Sequence, residues 1–163
     1  MRIGPADVQD GRVVSLGEPV VLPTAGHSGL ASAWQAFGDM LGEPLPRHAA
    51  LGIAGPVTGG PVRFVNSHWV VEPGSMAQDL SLESHVLLND FGAMAHAVHA
   101  LDEHWFAPVC GPDEPLPAHG AISVMGPGTG LGVAVLQRTA RGPVVLETEG
   151  SHVHFAALDD RDP

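Results

Sequence analysis

Between residues 126 and 132 glycine stands at every second position, Gly126-Pro127-Gly128-Thr129-Gly130-Leu131-Gly132, with apolar runs on both sides. Alternate glycines let backbone N–H groups approach and surround a phosphate. Few folds accept such a stretch. A dinucleotide fingerprint starting at Gly126 wants Gly or Ala at 131, where Leu131 stands. A Walker A loop needs a Gly-Lys pair, and the sequence contains no lysine. Both templates also run strand–loop–helix, whereas 121–125 and 132–137 both read as strands. The stretch is therefore expected to be a strand–turn–strand phosphate clasp; a glycine-rich hairpin without a ligand is the competing reading.

The rest of the chain supplies strands and helices in alternation. Asp10-Gly11 predicts a hairpin turn into Arg12-Val13-Val14. A short strand is expected at Val20-Val21-Leu22, and Ser28 offers an N-cap to a helix over 29–41. Leu30, Ala33, Trp34, Phe37 and Leu41 recur at helical spacing and give that helix a buried face. Strands are expected at 49–53, 62–65, 85–88 and 144–146. A short helix is expected near 75–80 and a longer one over 91–101, with Ala93, Met94, Ala97 and Leu101 along one side. The mixture argues an α/β fold with a partly antiparallel sheet.

Composition closes off several classes of function. Seven Lys+Arg against 18 Asp+Glu give a net charge of −11, so no basic footprint exists for nucleic acid or an anionic membrane. Protonating all ten histidines would bring the charge to about −1, below roughly pH 6. With 44% hydrophobic and 15% charged residues the chain can bury a core. Cys110 is the single cysteine, which rules out an internal disulfide and a thiolate-rich zinc site. No stretch has the length of a bilayer span, and residues 1–7 lack the apolar core of a signal peptide. A cytoplasmic protein is expected.

Two further constellations carry chemistry. Asn89-Asp90 stands where an apolar strand meets a helix, the end at which open α/β sheets place ligands. A carboxylate there can accept a proton from a substrate hydroxyl, or Asp90 can simply cap the helix; the two roles are compatible. Glu149-Gly150-Ser151-His152 sets an acceptor and a donor/acceptor in one short turn, which suits a polyol. His96 and His99 share a helix face, but no carboxylate–histidine pattern completes a zinc set, and no metal-ligating residues are assigned.

In order along the chain, these motifs resemble the bacterial glucokinase family. Leu88-Asn89-Asp90-Phe91 matches its Asn-Asp-Phe motif, and residues 124–134 match its second phosphate loop. Glu149-Gly150-Ser151-His152-Val153-His154-Phe155-Ala156 is similar to its Glu-Gly-Gly-His-Val-Asp-Phe-Ala segment. Ala54-Gly55-Pro56-Val57 and Val65-Asn66-Ser67-His68-Trp69 are further landmarks. The resemblance implies the actin-like ATPase (ribonuclease H-like) fold, with a small α/β lobe over 1–100 and the start of a second lobe over 101–163. It implies that Asp90 is the base for the sugar 6-hydroxyl. Asn89, Asp90, Glu149 and His152 would bind the sugar and converge on one cleft. Gly126, Gly128, Thr129, Gly130 and Gly132 would wrap the phosphates of ATP, with Mg²⁺ neutralising charge. Glucose and ATP are the implied partners; nucleic acid and membrane are not, and a homodimer is left open.

The sequence also departs from the family pattern. The family opens with a strand and a first phosphate loop of the form Asp-x-Gly-Gly-Thr, and Arg2-Ile3-Gly4 matches the stretch just after it. A later sugar-binding Glu and the adenosine region lie beyond the match, so the isolated chain is expected to phosphorylate glucose negligibly. Ser151 replaces a Gly, His154 an Asp and Pro127 a small residue. The rival readings are a kinase of the ROK group acting on another hexose, against which Phe91 argues, and a non-catalytic sugar-binding or regulatory module.

Overall fold

The computed structural model describes residues 1–64, 67–112, 114–127, 130–148 and 150. The chain divides into two compact units, Met1–Asp90 and a second beginning at Phe91.

In the first unit, β1 (Arg2–Ile3) pairs antiparallel with β4 (Val20–Val21), and β2 (Ala6–Gln9) with β3 (Arg12–Leu16). The β2–β3 turn is the expected Asp10-Gly11, with φ of 50° and 74°. Positive φ at both central residues matches the right-handed twist of the flanking strands. Helix α1 (Leu30–Leu41) buries Ala33 and Phe37, with Leu30, Trp34 and Leu41 packed at the same face, as its periodicity predicts. Its start is corrected: Gly29, not Ser28, is the cap residue, and no side chain caps it. The Ser28 N–H instead donates to the Ser32 Oγ, which donates to the Gly29 carbonyl. Gly42, at φ 70°, ends the helix in the left-handed region and its N–H donates to the Gly38 carbonyl.

Strand β5 (His48–Ile53) is followed by a loop, then β6 (Val62–Arg63) pairs with β7 (Val70–Val71). After α2 (Met76–Asp79), β8 (Ser84–Asn89) lies parallel to β5 in a register that puts Ile53 opposite Asn89. Ile53, Val62, Val71, Met76, Leu80 and Leu82 form one core cluster, and Leu22, Ala33, Phe37 and Trp69 another. Both indoles are satisfied: Trp34 Nε1 donates to the Leu80 carbonyl at 3.2 Å and Trp69 Nε1 to the His27 carbonyl at 3.0 Å.

Helix α3 (Asp90–Ala100) leads into the second unit, whose sheet is antiparallel in the order β11-β10-β9. These strands are β9 (Gly120–Pro127), β10 (Leu131–Thr139) and β11 (Gly142–Thr148). Residues 132–137 are thus a strand, as the clasp requires. Ala95, Ala134 and Leu136 are fully buried there, with Phe91, Val98, Ile122, Val124 and Val145 around them. The buried face of α3 differs from the expected stripe: Met94 is 54% exposed and Leu101 41%. Arg138 fastens the helix to β10 by donating to the Val98 carbonyl at 3.4 Å and to the Pro117 carbonyl at 3.0 Å. Among the described residues no helix is long and apolar enough to cross a membrane.

Candidate active site

The carboxyl ends of β5 and β8 place the first group of candidate residues. Asn89, the last residue of β8, is 7% exposed and is the one fully buried residue of that strand. A buried amide needs partners, and Asn89 Nδ2 donates to the Gly55 carbonyl at 3.2 Å. That bond ties the end of β8 to the loop leaving β5 and fixes the direction of the amide. Gly55 has φ 148° and Gly59 φ 84°, so the loop uses glycine for backbone shapes that other residues seldom adopt. Asp90 is the first residue of α3 and half-buried. A carboxylate in the first turn sits at the positive end of the helix dipole.

The second group lies on the β9–β10 hairpin. Pro127 is in register with Leu131 and Gly126 with Gly132, so residues 128–130 form the connection. Gly130 is exposed; Gly128 and Thr129 lie outside the described residues. The Phe91 ring rests on the Gly126–Gly132 pair. A Cβ at Gly126 would come within 2.7 Å of Phe91 Cζ, and a Cβ at Gly132 would overlap the same ring. These two glycines therefore have a packing reason to be glycine that the alternation in the sequence does not disclose. The first turn of α3 is held close in a second place: a Cβ at Gly92 would meet the Glu147 Cγ at 2.8 Å. Phe91, Gly92 and Glu147 are residues that sequence reasoning missed as site builders; the fixed Phe after Asn-Asp was their one signal.

Of the motif near residue 150, Glu149 and His152 lie outside the described residues. Gly150 is described, and a Cβ there would meet Val133 Cγ2 at 2.8 Å, which sets Gly150 beside β10. The Thr148 hydroxyl donates to the Val133 carbonyl at 2.9 Å and pins the same junction. Among the described residues no group of three or more His, Cys, Asp or Glu could hold a metal ion.

The family model for glucokinase matches residues 5–163. The chain belongs to the glucokinase family. It is 51% identical to the glucokinase of Zymomonas mobilis over 158 residues, 97% of this chain and 49% of that protein. The crystal structure of glucokinase from an Antarctic psychrotroph superposes with a TM-score of 0.78 at 31% identity, covering 98% of this chain and 49% of the other. Glucokinase from Balamuthia mandrillaris, solved in complex with glucose, shares the fold with a TM-score of 0.66 at 21% identity over 90% of this chain and 44% of that one. The chain spans about half the length of these relatives. The actin-like fold that the resemblance implies is the fold of the family.

Proposed function

We propose that this chain carries the sugar site and one phosphate loop of an ATP-dependent glucokinase, which transfers the γ-phosphoryl group of ATP to the 6-hydroxyl of glucose. Besides family membership, one observation carries the reading. Phe91, next in the chain to Asp90, is seated on the glycine pair at the base of the 128–130 connection. The residue that follows the base in the chain and the hairpin that would hold phosphate thus share one packed joint. Phosphoryl transfer asks for such positioning more than for covalent chemistry.

In this reading Asp90 accepts the proton of the 6-hydroxyl as its oxygen attacks, and the dipole of α3 favours the ionised carboxylate that can do so. Asn89, its orientation set by Gly55, hydrogen-bonds an adjacent hydroxyl, and Glu149 and His152 take others. Backbone N–H groups around Gly128, Thr129 and Gly130 receive the phosphates, with Gly126 and Gly132 at the base of the loop; an acidic, lysine-free chain has few other means of doing so. Mg²⁺ bound with ATP supplies neutralisation of phosphate charge, and it relies on phosphate and water oxygens more than on a dedicated protein cage. The two compact units belong to the two lobes of the kinase, which acts in the cytoplasm at the entry to glycolysis and can assemble as a homodimer.

The test is a coupled assay of glucose 6-phosphate formation, on the 163-residue chain and on a version extended at both ends to the length of the Zymomonas relative. Negligible turnover is expected from the first, and Mg²⁺-dependent turnover with glucose preferred over other hexoses from the second. In the extended protein Asp90→Asn keeps the shape and removes the base, so kcat falls by roughly 10²–10⁴-fold with little change in glucose affinity. Undiminished kcat in Asp90→Asn would remove the role given to Asp90.

A further inference from the structure

Glu147 stands where a carboxylate is unexpected. It lies directly opposite Ala134 in the register of β10 and β11, so the two side chains share one face of the sheet. That face is the one α3 covers: Ala134 and Leu136 are fully buried, with Val145 of β11 packed beside them. The exposed Glu147 side chain, at the edge of this apolar layer, reaches the first turn of α3. A Cβ at Gly92, the third residue of that helix, would run into the Glu147 carboxyl group, with Oε1 the nearest atom. Gly92 is buried, and it lacks the side chain that would keep a carboxylate away from the helix backbone.

The first backbone N–H groups of a helix have no partner within it, and they carry the positive end of its dipole. A carboxylate brought to them from a neighbouring strand is favoured on both counts. The far half of α3 is matched in the opposite sense, since Arg138 of β10 donates to the Val98 carbonyl near the helix end. The sheet of the second unit thus meets α3 with an anion at its start and a cation toward its finish. We infer that Glu147 is a positioning residue for Asp90. Its carboxylate, seated on Gly92, fixes the first turn of α3 and with it the direction in which the Asp90 side chain leaves the same turn. Glu147 touches no reacting atom in this role; it acts through the helix. The inference rests on the reading of Asp90 as the base, for which a small displacement costs a large factor in rate.

Two changes test it, Glu147→Ala and Glu147→Gln, the second of which keeps an oxygen that can accept from the helix. In the 163-residue chain, amide hydrogen exchange at Phe91 and Gly92 is expected to quicken about five- to tenfold in Glu147→Ala and less in Glu147→Gln. Unchanged exchange along β9 and β10 reports an intact sheet. In the protein extended to the length of the Zymomonas relative, Glu147→Ala is expected to lower kcat about tenfold and to leave KM for glucose within about twofold. Glu147→Gln should recover part of that loss. The deciding measurement places Glu147→Ala on Asp90→Asn: with the base gone there is nothing left to position, so kcat should equal that of Asp90→Asn alone. Losses that multiply would assign Glu147 to general stability and overturn the proposal, as would full kcat in Glu147→Ala or unchanged exchange at Gly92. Any of these alongside a lowered kcat in Asp90→Asn removes Glu147 and leaves the base standing. An extended protein without turnover, or undiminished kcat in Asp90→Asn, removes the reading of the base and this inference with it.

Discussion

The turns at 55–60 and at 126–132 are both rich in glycine, yet glycine serves opposite ends in them. In the first, Gly55 and Gly59 have φ of 148° and 84°; a Cβ at Gly59 would meet nothing within 4 Å, and one at Gly55 only Val62 at 3.9 Å. There the requirement is conformational and space is ample. In the second, neither Gly126 nor Gly132 has positive φ, and a Cβ at either would run into the Phe91 ring. Here the backbone is ordinary strand and space is what is scarce. Sequence alternation alone reads the second turn as room for a phosphate. The structure adds that part of the room is filled by the residue following Asp90.

The largest effect expected from this difference is at Gly132. Gly132→Ala forces the Phe91 ring off the hairpin, an overpacking that costs about 1–3 kcal/mol in urea denaturation followed by the signal of the second unit. Truncating the ring should rescue it, so Phe91→Ala combined with Gly132→Ala is expected to be less destabilised than the two single changes added together. Additive values would break the comparison, since the glycine would then answer to something other than Phe91. ATP affinity, measured in the extended protein, sharpens it. Recovery in the double variant assigns Gly132 to packing; persistent weakness assigns it to the phosphate as well.

Asn89 offers an effect of similar size at the tether of the first turn. Asn89→Ala leaves the Gly55 carbonyl without its donor and opens space at a buried position, with an expected loss of about 1–3 kcal/mol. Glucose affinity should fall too, because the loop after β5 loses its tether. If stability is unchanged, the tether is incidental and the 55–60 loop holds its shape by glycine alone.

How much of this was legible in the sequence depends on what kind of contact is involved. Periodicity exposes burial by large side chains, so the α1 stripe and the strands flanking 126–132 follow from the residues. Turn chemistry exposes Asp10-Gly11 in the same way. The buried face of α3 escapes, because it is made of Gly92 and Ala95, small residues whose value is close approach to Glu147 and to the β10 core. A hydrophobicity count favours Met94 and Leu101 instead, and both are exposed. The Ser28 cap fails for a similar reason: the competing partner, Ser32, is one turn on, and nothing in composition ranks the two. Asn89-Asp90 was visible as strand end meeting helix start, but that its neighbour Phe91 roofs the glycine pair is a long-range contact no local pattern contains.

The smallest effect is at Gly59, and it separates conformation from space most cleanly. Forcing an alanine to φ 84° costs about 1–2 kcal/mol. Alanine also restricts the unfolded chain, which returns about 0.4–1 kcal/mol. The net loss expected for Gly59→Ala is therefore about 0.5–1 kcal/mol. Asparagine tolerates the left-handed region better, so Gly59→Asn should lose less than Gly59→Ala although its side chain is larger. Size working against cost is the signature of a conformational glycine, and it is the reverse of what Gly132 should show, where each added atom worsens the clash. Denaturation midpoints of Ala and Asn at both positions check this directly. Asparagine worse than alanine at Gly59 would mean that the first turn, too, is short of space, and the distinction between the two turns would collapse.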